Sequence, residues 1–94
     1  MSKRASQILS SYLNRGSRDL KRFYKRENEG VTRAYRIAVH LSILNNGDDF
    51  RVISCNSRIL TAGCVTRHDG RDHLMYIRVL TDESEISTWE FPVR

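Results

Sequence analysis

Four side chains able to bind a metal or move a proton lie close together in the chain: Cys55, Cys64, His68 and His73, spaced C-x8-C-x3-H-x4-H. Thiolate and imidazole are zinc ligands, but structural zinc sites set two to four residues between paired cysteines, and eight separate these. In an extended strand Cys64 and His68 stand about 13 Å apart, too far to share one ion. The spacing therefore points to no metal and no cofactor, with the cysteines acting as small apolar core residues. The histidines can do other chemistry. His68 and His73 flank Asp69-Gly70 together with Arg67 and Arg71, which places imidazoles for proton transfer near guanidiniums that attract phosphate; His40 stands apart.

A second constellation is made of charge. Successive helical positions turn by about 100°. From Ser17 onward this sets Arg18, Lys21, Arg22, Lys25 and Arg26 on the half-cylinder opposite Leu20, Phe23 and Tyr24. A cationic stripe of this kind meets successive phosphates with no need to read bases. Arg15, Arg33 and Arg36 extend it, and Lys3 and Arg4 add to the same segment. Residues 1–36 hold ten Lys and Arg against three acids, a net +7, while the rest holds six Arg against eight acids, a net −2. Such asymmetry points to a polyanionic partner. The expected function is sequence-tolerant DNA or RNA binding through Arg15, Arg18, Lys21, Arg22, Lys25, Arg26, Arg33 and Arg36.

Two other classes compete. A protein adaptor or inhibitor would dock the same basic helix on an acidic partner surface, since carboxylate and phosphate attract the same side chains. An enzyme is the other alternative. Small antiparallel-sheet toxins of the metal-independent ribonuclease kind also set helices before a sheet and carry positive charge, a similarity of architecture alone. Because a hairpin tip is ordinarily solvated polar surface, the reading taken is a binder with no catalytic residues. No Gly-rich phosphate loop, nucleophile elbow or spaced carboxylate pair is present. The aromatic pattern does not match RRM motifs. Two short helices joined near Arg15-Gly16 give only a weak helix-turn-helix signal, whose winged variant would want a third helix before its strands, one that returns if Ala34 to Leu44 is helical.

These residues need elements to hold them. Ile8, Leu9, Tyr12 and Leu13 fall on one helical face between Ser6 and Asn14, and Ser17 caps a second helix that Gly30 should end. From Ala34 to Leu44 two patterns overlap: Ala34, Ile37, Ala38 and Leu41 fit a helix, whereas Tyr35, Ile37, Val39, Leu41 and Ile43 alternate as in a strand. Strict alternation and the following Asn45-Asn46-Gly47-Asp48 favour a strand closing a hairpin, with Ile43 opposite Phe50 and Leu41 opposite Val52. Asp69-Gly70 predicts a type I′ hairpin pairing Arg67 with Asp72, Val65 with Leu74, Cys64 with Met75 and Ala62 with Ile77. Asn56-Ser57 reads as a further tight turn or as a bulge in one long strand, Ile86 to Phe91 as a last strand, and Pro92 as an edge residue.

The resulting expectation is an α+β fold, two short N-terminal helices followed by a four- to five-stranded antiparallel sheet. It forms a single domain over residues 1–94, with a basic helical segment over 1–30 and the sheet over 31–94. The helices should cover the face bearing Phe50, Val52, Val65, Leu74 and Tyr76. Leu60, Met75, Ile77 and Val79 would then form an uncovered apolar interface, suited to a partner or a homodimer.

Composition agrees with that picture. The 94 residues are 39% hydrophobic and 29% charged, with five Gly and one Pro, a globular profile that allows one core. Two cysteines cannot build a secreted disulfide framework, and charged residues interrupt every apolar run. The first eighteen residues lack acids, as an organelle transit peptide does, but the basic character continues beyond them. A reducing, cytoplasmic setting without membrane contact is the expectation.

Overall fold

The computed structural model describes residues 29–93, in which a helix, α1 (Glu29–Leu44), precedes four strands, β1 (Asp48–Cys55), β2 (Ile59–His68), β3 (Arg71–Leu80) and β4 (Ile86–Pro92). The strands form one antiparallel sheet in the order β1-β2-β3-β4. The helices expected over Ser6–Asn14 and from Ser17 onward lie outside the described residues.

The strand expected from Ala34 to Leu44 is corrected to helix. Its buried positions, Val31, Ala34, Ala38 and Ser42, recur at three and four residues, the period of one helical face. That face is made of small residues, whereas the alternating set carries the bulk, so a reading weighted by size follows the wrong period. Gly30, expected to end a helix, lies within α1.

Asn45-Asn46-Gly47 stops the helix instead of turning a hairpin. Gly47 N–H donates to Ser42 O at 2.7 Å and Asn46 N–H to Ile43 O at 3.0 Å, with Asn46 at φ 53°. Those two bonds around a left-handed residue are the Schellman closure. Ile43 and Leu41 consequently do not pair with Phe50 and Val52; Val52 pairs with Ala62. The sequence signal misleads because helix stops and tight hairpins both want Asn or Gly at positive φ.

The β2–β3 hairpin follows its sequence. Asp69 and Gly70 sit at φ 52° and 76°, and all four expected pairs are present. Asn56 forms the tight turn between β1 and β2, its Oδ1 accepting the N–H groups of Arg58 and Ile59 at 2.8 and 3.0 Å. Thr81 fastens that turn to the end of β3 by donating to Ser57 O and Arg58 O at 2.7 and 2.8 Å. Pro92 ends the edge strand β4, where the missing N–H costs no ladder bond.

Directly paired residues project to the same side of a sheet. Leu60, Ala62 and Cys64 therefore share a face with Val79, Ile77 and Met75, and none of the six is more than 1% exposed. Helix α1 lies on this face through Val31, Ala34 and Ala38, spanning β1, β2 and β3 but not β4. The alanines let the helix approach closely, and each large side chain buried here contributes about 1.5–3 kcal/mol. On β2 and β3 the helix thus covers the face opposite the one expected, because the segment assigned to the sheet is the element that covers it. On β1, Phe50 and Val52 do lie on the covered side, as expected.

Candidate nucleic-acid interface

Of the cations expected to meet phosphate, Arg15, Arg18, Lys21, Arg22, Lys25 and Arg26 lie outside the described residues. Arg33 and Arg36 project from the solvent side of α1, away from Val31, Ala34 and Ala38, with His40 one turn further on. Arg33 meets Glu29 at 4.0 Å and Glu83 of the β3–β4 turn at 3.5 Å. Among the described residues no acid lies within ion-pair distance of Arg36. The expected interface residues Leu60, Met75, Ile77 and Val79 are corrected to core: they lie beneath α1, at most 1% exposed, with no surface left for a partner.

The sheet's other face carries what the sequence reading did not assign. Trp89 pairs with Tyr76 and Phe91 with Leu74, so these side chains project away from α1, as does Arg78. Tyr76 and Phe91 meet edge to face with centroids 5.9 Å apart, and the Arg78 guanidinium lies 5.5 Å from the centroid of the Trp89 ring. Trp89 and Phe91 remain 41% and 50% exposed. On the same face Val65 and Leu74 are buried, with Tyr76 and Val93 packed against them. The alternation of Ser87, Trp89 and Phe91 is visible in sequence. Its exposure was not, because it depends on which side the helix takes.

At the far end of the helix-covered face the hairpin histidines come together. The rings of His68 and His73 meet with centroids 5.0 Å apart, and His68 Nε2 lies 2.8 Å from Glu90 Oε2. His73 Nδ1 is 3.3 Å from Arg71 O. Glu90 is thus a partner that sequence spacing missed, brought in by β4. Arg67 is turned away from the pair: it belongs to the opposite face and donates to Gly70 O at 3.3 Å. His40, on α1, is separate from both.

Cys55 and Cys64 are both buried and unbridged. Burial pushes the Cys64 thiol up, against a lowering hydrogen bond with Ser42, and the negative charges of Glu90 and Asp48 add to the rise. Asp82, fully exposed in the β3–β4 turn, is held below its usual value by hydrogen bonds from Ser84. Among the described residues no group of three or more His, Cys, Asp or Glu side chains is placed to hold a metal ion. No described helix is long and apolar enough to cross a membrane.

The chain matches no protein-family model, no curated protein and no solved structure. Its functional reading therefore rests on charge and geometry alone.

Proposed function

We propose that the chain is a small nucleic-acid-binding protein that holds phosphates through its basic N-terminal segment, continued onto α1 by Arg33 and Arg36. One observation carries the reading. Residues 1–28 hold eight Lys and Arg against two acids, a net +6, whereas residues 29–93 hold seven Arg against nine acids, a net −2. The positive charge is gathered into one contiguous segment instead of being spread over the surface for solubility. Polyanions are held by such segments through counterion release, which makes binding steeply dependent on salt.

Mobility shift on duplex DNA across a salt series tests this. With about four phosphates neutralised, log K falls against log salt with a slope near −3.6. Changing Lys21, Arg22 and Lys25 to Glu abolishes the shift while leaving the circular dichroism melt of the domain in place. Failure to bind any nucleic acid at low salt overturns the reading and leaves an acidic protein surface as the partner. The reading is of a binder and not a catalyst, so labelled RNA in the same samples stays intact. Cleavage lost in His68→Ala would instead assign chemistry to the His68, His73 and Glu90 cluster.

A further inference from the structure

We infer that the sheet face bearing Tyr76, Trp89, Phe91 and Arg78 is a base-stacking platform, so that this protein takes single-stranded nucleic acid in preference to the duplex that its cations alone would hold. The inference rests on the nucleic-acid reading above and names its substrate class. Aromatic rings left half-exposed on an ordered sheet have lost their conformational freedom without gaining full burial, and a planar π-system is the ligand that completes them. The face already holds one planar group. The Arg78 guanidinium lies 5.5 Å from the Trp89 centroid, taking one side of the indole.

Ring placement favours unpaired bases. Trp89 and Phe91 are two residues apart on β4, which sets them about 6.8 Å apart along the strand. That is roughly twice the 3.4 Å rise of a stacked strand, so neighbouring rings serve bases that have been unstacked and spread. A duplex keeps its bases inside and offers none to such a surface. Edge-to-face contact with Tyr76 fixes the Phe91 ring. Arg78 is otherwise paired with the exposed Glu85 at 3.6 Å, a weak surface contact that a phosphate can replace. The chain's net charge of +5 supplies the overall complementarity to a polyanion.

The chain contains one tryptophan, so its emission reports on this face directly. Full-length protein is titrated with fluorescein-labelled oligo(dT), oligo(rU) and a matched duplex, and polarisation is read beside tryptophan emission from unlabelled strands. Single strands are expected to quench Trp89 while the duplex does not. Trp89→Ala and Phe91→Ala should each weaken single-strand binding roughly 5- to 150-fold, from a stacking contribution of about 1–3 kcal/mol per base. Duplex affinity and the salt slope should not change. Single-strand binding that leaves the emission unmoved, or that Trp89→Ala does not weaken, overturns the platform and leaves the phosphate-binding reading standing. Binding to neither form removes both. Trp89 already shielded from acrylamide in the free protein would mean that residues 1–28 cover the face, and a dimer dissolved by Phe91→Asp would mean that a second copy does; either result overturns the proposal.

Discussion

Cys64 is 0% exposed, and burial is the main reason its thiol titrates above the ordinary value of 9.0. A raised thiol keeps its proton in the folded state where the unfolded chain has lost it. The folded state then binds more protons, so the associated stability is fully present below pH 9.0 and declines as pH rises above it. Urea denaturation from neutral to strongly alkaline pH should show this decline, and it should be shallower in Cys64→Ala. That variant begins less stable at neutral pH because it opens space beside Ser42. Equal slopes in the two proteins would show that other groups govern the alkaline limb.

At the scale of elements, the chain stop after α1 is where a local signal had two meanings. Asn46 at φ 53° is needed by the Schellman closure, with Gly47 N–H reaching back to Ser42 O. Asn46→Ala should cost about 1 kcal/mol, because alanine lacks the short polar side chain whose local hydrogen bonding lets asparagine tolerate the left-handed region, while Asn46→Gly, which removes the β-carbon, should be neutral or slightly stabilising. Thermal melts followed by helix ellipticity read both, and equal melting of Asn46→Ala and wild type would contradict the left-handed closure. Gly47 is constrained differently, by space. A β-carbon there would stand 2.5 Å from Ser42 Oγ and 2.6 Å from Cys64 Sγ, both on buried residues. The turn residues after α1 therefore answer to the packing of α1 on β2 as well as to their own backbone.

At the scale of the whole molecule, the decisive fact is that among the described residues one helix covers one face of a four-stranded sheet and leaves Trp89 and Phe91 of the other face half-exposed. Ile77 stands under the helix at 0% exposure. Ile77→Asp should therefore abolish cooperative unfolding, since an unpaired buried carboxylate costs several kcal/mol against a total stability of roughly 5–15 kcal/mol. Ile77→Val should lose only about 0.5–1.5 kcal/mol. Circular dichroism with sedimentation separates this from an interface role: a folded Ile77→Asp protein that merely dissociated would show that Ile77 contacts another copy. The same arrangement places Trp89 and Phe91 on the opposite side, 41% and 50% exposed, where a change to either is expected to cost less folding stability than a change at Ile77.

What the sequence determined by itself was whatever a few neighbouring residues decide. Asp69-Gly70 sets the handedness of its turn and, through it, every pair of the β2–β3 ladder. Asn56 closes its turn with its own side chain, Pro92 restricts itself to an edge, and the concentration of Lys and Arg before residue 29 needs no fold at all. The tertiary structure decided the rest. Ala34 to Leu44 satisfies both periods, and only close packing of Ala34 and Ala38 on Leu60, Ala62 and Ile77 selects the helix. That selection removes a strand from the sheet, places the helix over Leu60, Met75, Ile77 and Val79, and leaves Tyr76, Trp89 and Phe91 facing outward. Glu90 likewise reaches His68 only because β4 folds back along β3. Which of two apolar faces is covered depends on contacts between residues far apart in the chain, and local sequence patterns do not encode those contacts.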